Sequence, residues 1–365
     1  MLSAQMPQSA AHSVARALDY LSDTALRHDF SFDSFGYDFA LCFDGVAVRL
    51  PPSAEALRRR ARRDGRALAQ RMLAQLEATT TPPSLRQRVY ALFAARRFGL
   101  EAPALDAAVR AELAARPSAA TRLLPFDPAS EPPPADAFPL PRAHPFAHIA
   151  NNAYAAWSAA LTTAHALEEL SLPGGVRVAD ALRWLPSLRP YRTATDGGGY
   201  VGFHDQAHAL AALTHTLTDY GRRGCDGRRA RAASGGGADG GGGGAAAADV
   251  EEEAAALELE LRALNSTVAA ALDDGDVSLA AAAAGALQLC GGGEAEAEAE
   301  AEALGGARNA THAAAVDLVV DFLLSTQRAD GGWSAVPADA PPLAPSPQER
   351  YAPTCSAAFA LASRV

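Results

Sequence analysis

Apolar side chains recur along most of the chain three and four residues apart, the spacing of a helix face, and almost nowhere alternate as a strand requires. Val14, Leu18 and Leu21 predict a first helix over Ala10–Leu26. Phe35, Phe39 and Phe43 stand at i, i+4 and i+8 and read as core anchors on one helix face. Pro51-Pro52-Ser53 opens a helix reaching about Leu76, with Ser53 as N-cap and Glu55 in the first turn. Pro82-Pro83-Ser84 repeats the device before Leu85–Phe98, which Gly99 ends. Further helices are predicted over Pro103–Ala115, Pro145–Leu170, Val178–Leu185 (closed by Pro186), Gly202–Tyr220, Val250–Leu272, Val277–Cys290, Ala313–Thr326 and Pro353–Ala362. The expected fold class is all-α, with short connections that make successive helices antiparallel neighbours.

Two kinds of segment interrupt this pattern. The proline-rich stretch within 125–144 has little apolar periodicity and is the expected connector between an N-terminal helical region (1–124) and a second region (145–365). Residues 222–248, rich in Gly, Ala and Arg, and the Glu-Ala run within 291–306 are low in complexity and are expected to be disordered surface insertions.

Composition narrows the choice of partner. Apolar residues make up 49% of the 365, enough for a core, and the alanine share of them favours helix. The net charge of −10 argues against nucleic acid as partner. The one basic cluster, Arg58, Arg59, Arg60, Arg62, Arg63 and Arg66, reads as a solvated helix face, with a patch for an acidic partner as the alternative. No apolar run reaches the ~18 residues of a membrane span. Cys42, Cys225, Cys290 and Cys355 are scattered without a C-x-x-C pair, so neither a disulfide framework nor a cysteine zinc module is indicated. The expected location is cytoplasmic or organellar, in a reducing compartment. Met1–Arg16, rich in Ser and Ala and free of acids, also has the composition of a transit segment.

The most specific local pattern is Phe322-Leu323-Leu324-Ser325-Thr326-Gln327-Arg328-Ala329-Asp330-Gly331-Gly332-Trp333. A helix ends in Gln, glycines permit a tight turn, and Trp folds back under the helix. This resembles the QW-type motif of the terpenoid cyclase and protein prenyltransferase superfamily. Tyr351-Ala352-Pro353-Thr354-Cys355-Ser356-Ala357-Ala358-Phe359 looks like the start of the next helix in such a repeat. Together with Arg183–Tyr191 and Thr214–Gly221, these segments resemble an uncharacterised bacterial and algal group within the superfamily, over roughly residues 150–365. The resemblance implies an α/α-toroid, in which Gln327 and Trp333 are structural; a toroid enzyme would further have a deep cavity lined by Trp184, Tyr200 and the His204–Asp219 face. This chain departs from the relatives at Ala352 and Cys355, where a His and an aromatic are common. It has one clear QW-type motif; Asp196-Gly197-Gly198-Gly199-Tyr200 is a looser second that lacks the Gln. The D-x-D-D and D-D-x-x-D motifs are absent, and Asp273-Asp274-Gly275-Asp276 reads as a cap for the helix at Val277. A shared fold carries no shared reaction.

One constellation suggests chemistry. His204, His208, His215 and Asp219 fall within an arc of about 60° on helix 202–220, nearly opposite Leu210, Leu213 and Leu217. His204 and His208, at i and i+4, are placed to share a divalent metal. His215 and Asp219 form a second such pair, in which the carboxylate would orient the imidazole as a catalytic acid or base. The competing reading puts the stripe in water. His144 and His148, and the pair His165 and Glu169, are lesser candidates that read first as surface or capping groups.

Two functions remain open. One is a toroid enzyme or binding protein for an isoprenoid-like or other bulky apolar small molecule. The other is a non-catalytic helical scaffold for a protein or lipid partner.

Overall fold

The computed structural model describes residues 9–27, 30, 32, 39–78, 83–115, 153–172, 177–189, 191, 199–223, 245–291, 306–334 and 347–365; within these, the side chains of 199–202, 245–258, 291, 306–311 and 347–348 are not described. The described residues form twelve α-helices, two 3₁₀ turns and no strand. In chain order the helices are α1 Ala10–Leu26, α2 Phe39–Arg49, α3 Glu55–Ala78, α4 Leu85–Arg97, α5 Pro103–Ala115 and α6 Ala153–Glu169. They continue with α7 Val178–Leu182, α8 Gly199–Leu217, α9 Ala245–Asp273, α10 Val277–Gly291, α11 Gly306–Thr326 and α12 Pro347–Ala362.

The even-numbered helices close a cycle. α2 packs on α4, α4 on α6, α6 on α8, α8 on α10, α10 on α12, and α12 on α2. The odd-numbered helices pack against this cycle: α3 on α2 and α4, α5 on α4, α7 on α6, α9 on α8 and α10, α11 on α10 and α12, and α1 on α12. Burial follows the same alternation. Along α2 nearly every residue from Phe39 to Ala47 is buried, and α10 is buried from Val277 to Leu287. In contrast α5 buries only Val109 and Leu113, and α11 leaves Leu318 60% exposed. Apolar content on all sides suits an inner helix, and a single stripe suits an outer one.

Small residues let the inner helices approach. α10 contributes Ala280–Ala284 and Ala286, and α12 contributes Ala357, Ala358, Ala360 and Ala362, all buried. Gly45 on α2 and Gly285 on α10 face Phe359 of α12 so closely that a Cβ on either would lie 3.0 Å from its ring.

The turn that follows α11, Gln327–Trp333, packs against α1. Gln327 Nε2 donates to the Gly331 carbonyl within the turn and to Ser13 O on α1, each at 2.9 Å. The Trp333 indole is fully buried and donates to Leu323 O at 3.0 Å. Gly331 has φ +91°, and a Cβ there would sit 2.3 Å from Arg16 O, so the position demands glycine. Arg16 in turn donates to Ala329 O at 2.7 Å.

Several sequence expectations need correction. Ser53 lies inside a 3₁₀ turn (Pro52–Ala54) rather than capping α3. Pro186 sits within the second 3₁₀ turn, Leu185–Leu188, beyond the end of α7 at Leu182. Pro353 lies inside α12 rather than at its start. Most of 222–248 and 291–306 falls outside the described residues, as do the 125–144 connector, Phe35, His144 and His148. However, α9 begins at Ala245, and Arg222 and Arg223 are tied into the ring. The arginine cluster is a solvated helix face as expected, with Arg59, Arg62, Arg63 and Arg66 exposed, while Arg60 pairs with Asp19 and Asp64 and Arg66 donates to Phe98 O. Cys290 is disulfide-bonded, while Cys42 and Cys355 are free. No helix among the described residues is long and apolar enough to cross a membrane.

Candidate functional site

The His/Asp stripe lies on inner helix α8, which α6 and α10 flank and α9 backs. Its leucine face is buried as expected, with Leu210 and Leu213 1% exposed. His204, His208 and His215 are neither exposed nor sealed; each is half-buried. His215 packs edge-on against Phe359 of α12, with ring centroids 4.9 Å apart, and stacks on Tyr220 at 5.7 Å. Phe359 in turn lies 5.3 Å under the Arg49 guanidinium of α2, and Arg49 donates to Gln288 Oε1 of α10 at 2.5 Å. Side chains from α2, α8, α10 and α12 meet here, although α2 and α8 are three places apart in the cycle. His215 is thus packed among side chains of three other helices rather than standing in bulk water.

Burial and the nearby charges of Arg49 and His208 push His215 down to about 4. Burial and His204 push His208 down to about 4 as well, against an opposing pull from Asp276. Both imidazoles are therefore neutral at pH 7. The rings of His204 and His208 lie 4.4 Å apart, and His204 Nε2 is 3.5 Å from Asp276 Oδ2. Asp276 also caps α10, accepting from Leu279 N at 2.9 Å through Oδ1.

The expected His215–Asp219 pair does not form. α8 ends at Leu217, and Asp219, Tyr220 and Gly221 follow with φ of +52°, +57° and +89°. This left-handed run turns the Asp219 carboxylate away from His215. It meets Arg97 of α4, whose Nη1 donates to Oδ2 at 3.1 Å and whose Nη2 donates to Oδ1, and His165 Nε2 of α6 at 3.1 Å. Burial alone would raise the Asp219 carboxyl, but the bonds from His165 and Arg97 outweigh it and hold the group far below the usual carboxylate range. The same strap continues to Arg222, which donates to Asp44 of α2 at 2.5 Å, and Arg223, which donates to Glu169 of α6 at 3.1 Å. Gly221 lies against Val48 and Arg49 of α2 and Leu289 of α10, where a Cβ would be 2.9 Å from a Leu289 methyl. Residues 218–223 therefore cross the end of the ring where the inner helices terminate, tied to α2, α4, α6 and α10.

His165, Glu169 and Asp219 are the one trio of metal-ligating types among the described residues whose ligand atoms all lie within 4.8 Å of one another. The charges around them fit an ion-pair network better than a metal. Arg97, Arg222 and Arg223 match Asp219, Asp44 and Glu169 one for one, leaving no surplus negative charge for a dication. His204, His208 and Asp276 have the right donor chemistry for a divalent ion but are not drawn together to that degree.

The other nominated residues divide. Trp184 follows α7 and is partly buried against the core, its ring covered by the Arg183 guanidinium at 5.0 Å. Tyr200 lies in the first turn of α8, but its side chain is outside the described residues. The sequence reading missed Arg49, Gln288, Phe359 and Arg97. A signal was present for two of them: Arg49 ends an otherwise largely apolar helix, and Gln288 is the lone amide in the apolar run Leu279–Leu289. Comparison with known proteins finds no match to this chain among family models, curated proteins or solved structures.

Proposed function

We propose that this chain is an α/α-toroid of the terpenoid-cyclase-like kind that binds a bulky, largely apolar small molecule inside its ring of even-numbered helices. The observation that carries this reading is the placement of His208 and His215, half-buried and neutral, on an inner helix whose opposite face is leucine. Two neutral imidazoles on such a helix orient a ligand by one or two hydrogen bonds while the surrounding wall supplies area. Binding is favoured over acid–base catalysis because Asp219, the only carboxylate the stripe carries, is committed to Arg97 and His165. A His kept neutral to about pH 4 is a poor proton donor at pH 7.

The test is calorimetric titration with a neutral long-chain probe, dodecanol, against wild type and His208→Trp. Saturable 1:1 binding with negative ΔCp, abolished by the bulky indole in a variant that unfolds at the same urea concentration, supports the reading. Absence of saturable binding to the wild type rejects it and returns the chain to the scaffold class.

A further inference from the structure

Arg49 is an anomaly among the arginines of the ring. Arg97, Arg222 and Arg223 each hold a carboxylate. Arg49 holds none among the described residues; its bonded partner is the neutral amide of Gln288 and its stacking partner is Phe359. Burial, with the positive charge of Arg364 nearby, pushes Arg49 down to about 10, so it is still a cation at pH 7. An unpaired cation in such a setting is costly.

Three shielded polar atoms around it also have no hydrogen-bond partner: Arg49 Nε, Gln288 Nε2 and His215 Nε2. Their chemistry is uniform. Guanidinium has no acceptor, so Gln288 must turn its oxygen to Arg49, which leaves its NH₂ as a spare donor. His215 is neutral, so its Nε2 serves as a donor in one of its two tautomers, the one an acceptor ligand would select. Two fixed donors, from α2 and α10, an imidazole nitrogen from α8 able to donate, and one uncompensated positive charge therefore gather around Phe359. Acceptor-only, negatively charged groups complement such a set, and carboxylate and phosphate oxygens accept several bonds at once.

We propose that Arg49, Gln288 and His215 form an oxyanion-binding site, which takes the carboxylate or phosphate head of an acidic amphiphile. The apolar remainder of that ligand rests on the reading of the ring interior given above; the oxyanion site itself does not. Gly221 belongs to the design, because its missing side chain lets the 218–223 strap close over the stem of Arg49, where a Cβ would come 3.3 Å from Arg49 Cδ.

The experiment titrates three probes by calorimetry: dodecanoate, dodecanol and inorganic phosphate. Each is run against the full-length wild type, Arg49→Met and Gln288→Leu. Arg49→Met strands no carboxylate but removes the donor to Gln288 Oε1, so its urea stability is measured alongside, and Gln288→Leu serves if it does not fold. The expected result is that dodecanoate binds the wild type at least tenfold more tightly than dodecanol, and that both variants erase this preference while dodecanol binding stays unchanged. Phosphate binding alone, lost in Arg49→Met, upholds the oxyanion site and removes the apolar-ligand reading. Equal affinity for dodecanoate and dodecanol, without phosphate binding, overturns the oxyanion site and leaves the apolar reading standing. Anion binding that both variants retain overturns the assignment to these residues, and no binding of any probe overturns both readings.

Discussion

Replacing Asp219 with Asn tests whether the strap across the ring end is held by its buried charge. The substitution keeps the shape of the side chain and suits the left-handed backbone at φ +52°, which Asn tolerates better than most residues. It removes the negative charge facing Arg97. Both partners are nearly sealed, Arg97 9% and Asp219 4% exposed, so solvent cannot take over the carboxylate's role. Breaking a buried pair by neutralising one partner costs about 3–5 kcal/mol, and the amide oxygen left to accept one bond places the expectation near ~3 kcal/mol. That is a large fraction of the roughly 5–15 kcal/mol of a typical domain. Equilibrium urea unfolding should show the midpoint falling with the slope unchanged.

The pH dependence carries a sign. The folded Asp219 carboxyl lies below its unfolded value, so its contribution is fully present above about pH 4 and fades as pH falls toward the folded value. The variant should therefore lose most at neutral pH and converge on the wild type in acid. A loss below ~1 kcal/mol at pH 7, the range of an exposed pair, would refute the claim that this network is buried and decisive.

Other outcomes follow from the same structure. Trp333→Ala removes a fully buried indole with its bond to Leu323 O and should cost about 3–5 kcal/mol in urea unfolding. Gly331→Ala forces a Cβ to 2.3 Å from Arg16 O at a φ of +91°, and should lower the melting temperature in a thermal scan followed by circular dichroism. His208 and His215 titrate near 4 when folded and at about 6.5 when unfolded. Their stabilisation is present above pH 6.5 and lost as pH falls from there to 4, and a His208→Asn/His215→Asn double variant should flatten that part of the stability–pH curve. Elemental analysis of purified protein should find no stoichiometric zinc, iron or manganese that the same double variant removes.

Helix positions were legible because spacing and caps are local. Ala10–Leu26 and Pro103–Ala115 stand where the periodicity put them, and Ser84 caps α4 in a reciprocal bond with Gln87. The QW-type turn was legible for the same reason: Gln327, Gly331 and Trp333 act within a dozen residues of one another. The site was less so. Helical periodicity placed His215 and Asp219 on one stripe only if the helix ran on to Tyr220. Two non-glycine residues in left-handed conformation end it earlier, and the tertiary bonds from Arg97 and His165 that hold them there have no local signature. His165 and Glu169 were noticed as a pair, but that Asp219 would join them depended on α6 and α8 being neighbours.

The most direct test of the ring-interior reading is histidine-selective NMR during titration with dodecanol. The account predicts that the His208 and His215 ring signals shift together and saturate at one equivalent, while His12 on the exposed start of α1 stays still. Unmoved His208 and His215 signals at saturating probe, or shifts confined to His12, would contradict it.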